Sequence, residues 1–237
     1  MKEGSGAGLN WTPAQVPPRT AIDGSLVRLE VLDPERHAAS LFTASHVASA
    51  EGLWEHLPYG PFVSQAEFTA WLEQRAASVD PLFFAVIDWA SMRALGMASY
   101  LRIEPAHGVI EIGHIWFAPE LQRTRQATEA IFLLARTAFD DLGYRRLEWK
   151  CDSLNLPSRR AAERFGFTYE GIFRQHMIVK GRNRDTAWFS MTDGEWPSRK
   201  AAFEAWLAPD NFDDAGKQKR NLSDLRTSIQ GRRAPGS

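Results

Sequence analysis

Apolar positions along the chain recur at two periods, two residues and about 3.6, and the switches between them divide it into strands and helices. Residues 26–32 (LVRLEVL) alternate and read as a strand. Asp33-Pro34 then supplies an N-cap and a first helical position for a helix to about residue 48. Residues 51–62 form a loop rich in Trp, His, Pro and Tyr. Residues 64–79 open with Ser-Gln-Ala-Glu, a capping-box spacing, and continue with Phe68, Trp71, Leu72 and Ala76 on one helical face. After Pro81, residues 82–87 (LFFAVI) read as a buried strand. Residues 93–103 and 109–117 are two more strands, joined by a turn at 105–108. The longest helical pattern runs over 121–142, with Ala127, Ile131, Leu134, Ala138 and Leu142 on one face and Gly143 as a stop. A strand at 146–151, a short helix at 157–165, strands at 167–179 and 186–191 around a turn at 180–183, and a helix at 195–207 complete the pattern. Strands grouped in the middle, with helices between only some of them, predict a mixed α/β sheet rather than a strict βαβ array.

The ends differ from this pattern. Residues 1–20 are rich in Gly and Pro and read as a loose arm; residues 21–212 form the domain. In residues 213–237 the large apolar side chains are Leu222, Leu225 and Ile229. Their spacing suits a short docked helix, but the composition favours a mostly disordered tail. The 237 residues fit one domain with extra elements. Lys plus Arg (28) nearly balance Asp plus Glu (29), which argues against a strongly basic nucleic-acid binder. The single cysteine, Cys151, can form neither an intramolecular disulfide nor a zinc knuckle, and the histidines lack metal spacing. Neither a membrane span nor the apolar core of a secretory signal is evident, so the expected setting is cytoplasmic.

Candidate chemistry gathers where the strand EIGHIWF runs through Ala118-Pro119-Glu120 into the helix opening Gln122-Arg123-Thr124-Arg125-Gln126-Ala127-Thr128. A helix start presents unpaired N–H groups and the positive end of the helix dipole, a cradle for phosphate. The Arg side chains add charge and the Thr hydroxyls add donors. From spacing alone, an ordinary solvated basic helix start fits as well.

Three separated motifs resemble the Gcn5-related N-acetyltransferases, in particular the RimJ/RimL-like ribosomal-protein branch. They are QRTRQATEA, the EIGHIWF strand before it, and Asn155-Leu156-Pro157-Ser158 followed by Arg164-Phe165-Gly166-Phe167, within a match over about residues 25–192. Gln122, Arg125 and Ala127 occupy the defined positions of the family's Q/R-x-x-G-x-G/A signature, with Arg125 where the first Gly is usual. The resemblance implies an α/β GNAT fold, a mixed and mostly antiparallel sheet flanked by helices and splayed between its fourth (109–117) and fifth (146–151) strands. It implies acetyl-CoA as co-substrate, with pantetheine along Ile115, Trp116, Phe117 and Ala118 and pyrophosphate on Arg123, Thr124, Arg125, Gln126, Ala127 and Thr128. Asn155 would bind the pantetheine arm. The Tyr that many members use to protonate the leaving thiolate is absent, leaving Ser158 as donor; both Asn155 and Ser158 also suit plain helix capping.

Amide formation needs a neutral amine. Deprotonating a lysine-type amine at pH 7 costs roughly 4.6 kcal/mol, an α-amine only about 1.4. Glu111, eleven residues before Gln122, stands at the offset of the family's catalytic Glu. His114 shares the strand with opposite parity unless Gly113 makes a bulge. Either could serve as base or hold a water, and either could be a plain structural residue. The loop residues Trp54, His56 and Tyr59 are candidates for one wall of an acceptor groove, and Arg174, His176 and residues 180–184 for the other. The expected activity is direct transfer of acetyl to a primary amine, on a protein N-terminus or a small antibiotic-like molecule, without metal. A non-catalytic acyl-CoA-binding module is the alternative. A homodimer is left open.

Overall fold

The computed structural model describes residues 8 and 10–232. Residues 1–7, 9 and 233–237, parts of the expected arm and tail, lie outside the described residues. The elements are β1 (Ile22–Asp23), β2 (Val27–Val31), α1 (Pro34–Ser45), α2 (Gln65–Ala76), β3 (Leu82–Asp88), β4 (Arg93–Glu104), β5 (Val109–Phe117), α3 (Arg125–Arg136), β6 (Arg146–Asp152), α4 (Leu156–Phe165), β7 (Thr168–Val179), β8 (Arg182–Thr192), α5 (Trp196–Leu207) and α6 (Leu222–Arg232). The strands form one sheet in the order β1-β2-β3-β4-β5-β6-β8-β7, and the β5–β6 pair is parallel while its neighbours are antiparallel. The expected fourth and fifth strands are thus β5 and β6, because β1 adds a two-residue strand at the edge.

β3 is buried along its whole length. Its side chains alternate, so it needs cover on both faces. Phe83, Ala85 and Ile87 pack with Leu41 of α1 and with Phe68 and Leu72 of α2. Leu82, Phe84 and Val86 pack in the larger core with α3, α4 and α5. The helix starts follow their caps: the Asp33 side chain accepts from Glu35 N, and Ser64 Oγ from Glu67 N at 3.2 Å, while Glu67 Oε2 reaches back to Val63 N. Buried Glu129 of α3 accepts the backbone N–H groups of Ser25, Leu26 and Val27 at 3.0, 2.6 and 2.8 Å, pinning the β1–β2 turn to the core. Gly24 permits this approach, since a Cβ there would lie 2.6 Å from Glu129 Oε2. The β7–β8 hairpin turns through Lys180 (φ 49°) and Gly181 (φ 71°), both left-handed, as a two-residue hairpin loop favours.

Three expectations change. The helix expected over 121–142 starts at Arg125, because Arg123 is left-handed (φ 61°) and Thr124 caps the helix. After Arg136 it widens into a turn closed by Leu142 N–H on Thr137 O. The arm is docked where described: Trp11 Nε1 donates to Ala106 O, and the Arg19 guanidinium donates to Ala76 O and Ser78 O at the end of α2. The tail expected to be mostly disordered carries α6, with Leu222 and Leu225 buried and Arg226 donating to Glu163 O and Arg164 O at the end of α4. An isolated helix of this length is marginal; the apolar contact and the cation at a helix C-terminus supply the missing stability.

Candidate active site

β5 pairs with β6 only from Val109↔Arg146 to Ile112↔Trp149. Beyond Ile112 the two strands have no ladder partners in each other, so the β6-facing edge of β5 is open. On its other edge β5 is bulged: Met97 faces Trp116 and Ser99 faces Gly113, so Ala98 stands opposite two residues. His114 takes φ 51° there. A cavity of about 570 Å³ occupies the opening. Trp149 and Cys151 of β6 face it on the α4 side, and Lys150, of opposite parity, on the other, so it passes through the sheet.

Glu111 lines this cavity and is almost wholly buried. Its Oε2 accepts from Arg102 Nη1 at 2.7 Å and from Lys150 Nζ at 2.8 Å; Oε1 has no hydrogen-bond partner among the described residues. Lys150 Nζ also reaches Glu148 Oε2 at 2.6 Å and lies 3.9 Å from the centre of the Trp188 ring. Glu148 binds Arg146, which holds Glu170. Charges of alternating sign thus run from β4 through β5 and β6 to β7. Burial pushes the Glu148 carboxyl up, but hydrogen bonds from Lys150 and Arg146 outweigh it and hold it below the usual range.

Tyr59 OH lies 3.1 Å from His114 Nδ1 and the two rings stack. Burial, reinforced by the charges of Arg75, Arg102 and Arg184, pushes His114 down to about 4, so its imidazole is neutral near pH 7. On the α4 side, Ser158 Oγ accepts from Trp149 Nε1 at 3.0 Å. The indole can only donate, so the serine keeps its own proton to give. Asn155 Oδ1 accepts from Ser158 N and caps α4. Burial pushes the Cys151 thiol up, although Ser158 reaches it, so it stays protonated.

At the start of α3 the backbone N–H groups of Arg123, Thr124, Arg125 and Gln126 make no hydrogen bond among the described residues. The hydroxyls expected to help are engaged: Thr124 Oγ1 donates to Leu121 O and accepts from Ala127 N, and Thr128 Oγ1 donates to Thr124 O and accepts from Arg164 Nη1. Ala118 N is bonded to Leu95 O, so it is unavailable to a ligand. Gln122 Nε2 donates to Phe117 O, and Gln126 Nε2 to Asp88 Oδ1. Trp116 is buried among aromatic rings, leaving only its backbone near the cleft. Arg125 turns away from the cradle: Nη2 donates to Leu207 O, and the guanidinium lies 4.2 Å from the Phe212 ring centre. A side chain at the usual Gly position therefore leaves the N–H groups clear.

Of the expected acceptor residues, His56 and His176 line the cavity. His56 Nδ1 is 3.6 Å from Asp152 Oδ2, and His176 Nδ1 bonds Thr186 Oγ1. Trp54 instead packs in the core against Phe62, Phe68 and Trp116. Loop composition reported its apolarity, not its direction. Tyr59 is absent from the cavity lining and bonds His114 Nδ1 from behind. Arg174 lies outside the main cavity, beside Gln175, Asn183 and Asp185 in a separate surface hollow. Lys180 Nζ donates to Trp54 O, tying the hairpin tip to the loop. Sequence reasoning missed Arg102, Lys150 and Arg164. The parity of Arg146, Glu148, Lys150 and Asp152 on one strand face was the available signal for the ion chain.

The comparisons agree with this geometry. Residues 27–168 match the family model described as an acetyltransferase (GNAT) domain. A GCN5-related N-acetyltransferase from Brucella melitensis has a crystal structure 56% identical in sequence, covering 92% of this chain and 99% of its own, with a TM-score of 0.90. A GNAT-family protein from Chromobacterium violaceum is 49% identical over 83% of this chain and 98% of its own, with a TM-score of 0.76. "Putative ribosomal N-acetyltransferase YdaF" from Bacillus subtilis is 31% identical over 105 residues, 44% of this chain; that match spans 57% of YdaF's length. The chain belongs to the GNAT acetyltransferase family. Members of this family take acetyl-CoA as acyl donor. Among the described residues no helix is long and apolar enough to cross a membrane, and no three His, Cys, Asp or Glu side chains converge on a metal position.

Proposed function

We propose that this chain transfers acetyl from acetyl-CoA directly to a primary amine presented through the opening between β5 and β6. The observation that carries it is the coincidence, at one end of β5, of an unpaired strand edge, four free N–H groups at the start of α3 and a through-going cavity. The residues fit the cofactor. The orphan N–H groups suit a pyrophosphate, and Arg123 and Arg164 make no ion pair among the described residues, leaving two cations nearby. The open edge from Gly113 to Phe117 suits the amides of the pantetheine arm, with Asn155 and Ser158 on the facing wall. Bound acetyl-CoA supplies an activated thioester.

The remaining chemistry falls to side chains. Glu111 Oε1 accepts the amine's proton, directly or through a water, while Arg102 and Lys150 hold Oε2. When the Tyr59 hydroxyl accepts from Nδ1–H, His114 offers the Nε2 lone pair to the amine. Ser158 donates to the departing sulfur. Neither acceptor is a strong base, so the site suits amines that are already partly neutral, such as α-amines. A ribosomal-protein N-terminus is one such acceptor, in line with YdaF's name.

Calorimetry with CoA and with pantetheine tests the cofactor site. CoA should bind at least about 10-fold more tightly, because pantetheine offers the cradle no phosphate. Equal affinities would remove the phosphate from the start of α3.

A further inference from the structure

Arg184 of β8 lines the cavity, pairing in register with Met177 of β7. It takes no part in an ion pair or side-chain hydrogen bond among the described residues, and its Nε is buried without a partner. Among the cations of the wall Arg184 stands apart: Arg102 and Lys150 are held by Glu111, while Asp152 faces His56 and Glu51 and Glu55 make no ion pair among the described residues. Its charge acts on His114 on β5, Cys151 on β6 and His176 on β7, which line the same cavity. A partly desolvated cation without a partner is costly, and that cost is relieved when an anion enters.

Building on the acetyltransferase reading, we propose that the acceptor is an amino-carboxylate, whose carboxylate is held by Arg184 while its amine faces Glu111 and His114. The planar guanidinium matches a carboxylate in two parallel hydrogen bonds. One negative charge on the acceptor gives Arg184 the partner it lacks among the described residues. Glu51, Glu55 and Asp152 border the same cavity, so a doubly charged phosphate would meet repulsion that a carboxylate feels less. The same carboxylates favour the approach of a cationic amine. Two sources offer this chemistry, a free amino acid and a peptide N-terminus followed by an acidic residue.

The test pairs each candidate with its neutral twin: an amino acid against its amide, and an X-Asp dipeptide amide against X-Asn. Binding is measured by calorimetry with CoA present, so no turnover occurs, and kcat/KM is measured with acetyl-CoA. The carboxylate of one pair should be favoured by about 10- to 10²-fold, mainly through KM. Whichever pair discriminates identifies the source. Arg184→Gln should bring that ratio to about one, and Arg184→Lys should restore part of it. Equal handling of both members of each pair by the native enzyme would overturn the proposal, as would an Arg184→Gln variant that keeps the ratio. Acetylation without discrimination would leave the acetyltransferase reading intact. Discriminating binding without acetylation would leave the carboxylate site intact and sink the transferase reading.

Discussion

Replacing Glu111 by Gln should lower kcat about 10²-fold for an amine of high pKa, and less for an α-amine, with little change in acetyl-CoA affinity. The cofactor contacts proposed above lie on the β5 edge and the α3 start and do not use this carboxylate. The glutamine keeps the shape but loses the negative charge facing the cavity. His114 shares the wall and is neutral, being pushed down to about 4 by burial and by Arg75, Arg102 and Arg184. Its ionisation cannot shape the rate between about pH 5 and 9, because a group is almost wholly in one form more than a unit from its pKa. Any rise of rate in that range should follow the acceptor and move when an amine of different pKa is used. Ser158→Ala should act on the same step with a smaller loss, since CoA thiolate is a fair leaving group. Unchanged turnover and an unchanged pH profile in Glu111→Gln would take Glu111 out of the mechanism.

Lys150→Met should cost about 3 kcal/mol of stability, the low end for breaking a buried ion pair. Arg102 still faces Glu111 and Arg146 still faces Glu148, so neither carboxylate is left alone. For a chain of this size the melting midpoint should fall by roughly 10 °C. Part of the loss is pH-dependent. The Glu148 carboxyl is held below its ordinary 4.5, so it contributes stability above that pH and loses it as pH falls through the depressed value. Removing Lys150 weakens the depression, so the gap between native and variant should be full at pH 7 and narrow below about 4.5. Thermal melts of both proteins across that range check it. Equal midpoints at pH 7 would show that the alternating charges between β4 and β7 do not hold the split sheet.

What the sequence shows of this architecture depends on distance along the chain. Asp33-Pro34 and Ser64-Gln-Ala-Glu mark helix starts correctly because a cap bonds only to groups two or three residues on. The β3 strand is legible because its apolar run needs no knowledge of what covers it. The start of α3 is misplaced because Arg123 adopts a left-handed conformation that its residue type does not announce. α6 is legible in the spacing of Leu222, Leu225 and Ile229 but ranks below disorder, because its stability lies in the surface formed by α4 and α5, which the tail's composition does not contain. At the site, Glu111 and Ser158 were reached through the resemblance and do line the cavity. Trp54 was placed by composition and points into the core. Arg184, within the 180–184 stretch expected as one wall of the acceptor groove, does line the cavity from β8, and among the described residues its charge has no ion-pair partner, which its place in a turn does not announce. A lone charge on a strand reads as solvated until its neighbours are known.

The central claim is that this chain joins acetyl to an amine. A time course with native protein, acetyl-CoA and a panel of α-amines and lysine-type amines tests it most directly, following free thiol and acetylated amine together, the latter by mass spectrometry. The expected result is one acetylated amine for each thiol released, fastest with the α-amines. Thiol release without acetylated product, or tight acetyl-CoA binding with no release for any amine, would contradict the account and favour a module that binds the cofactor without using it.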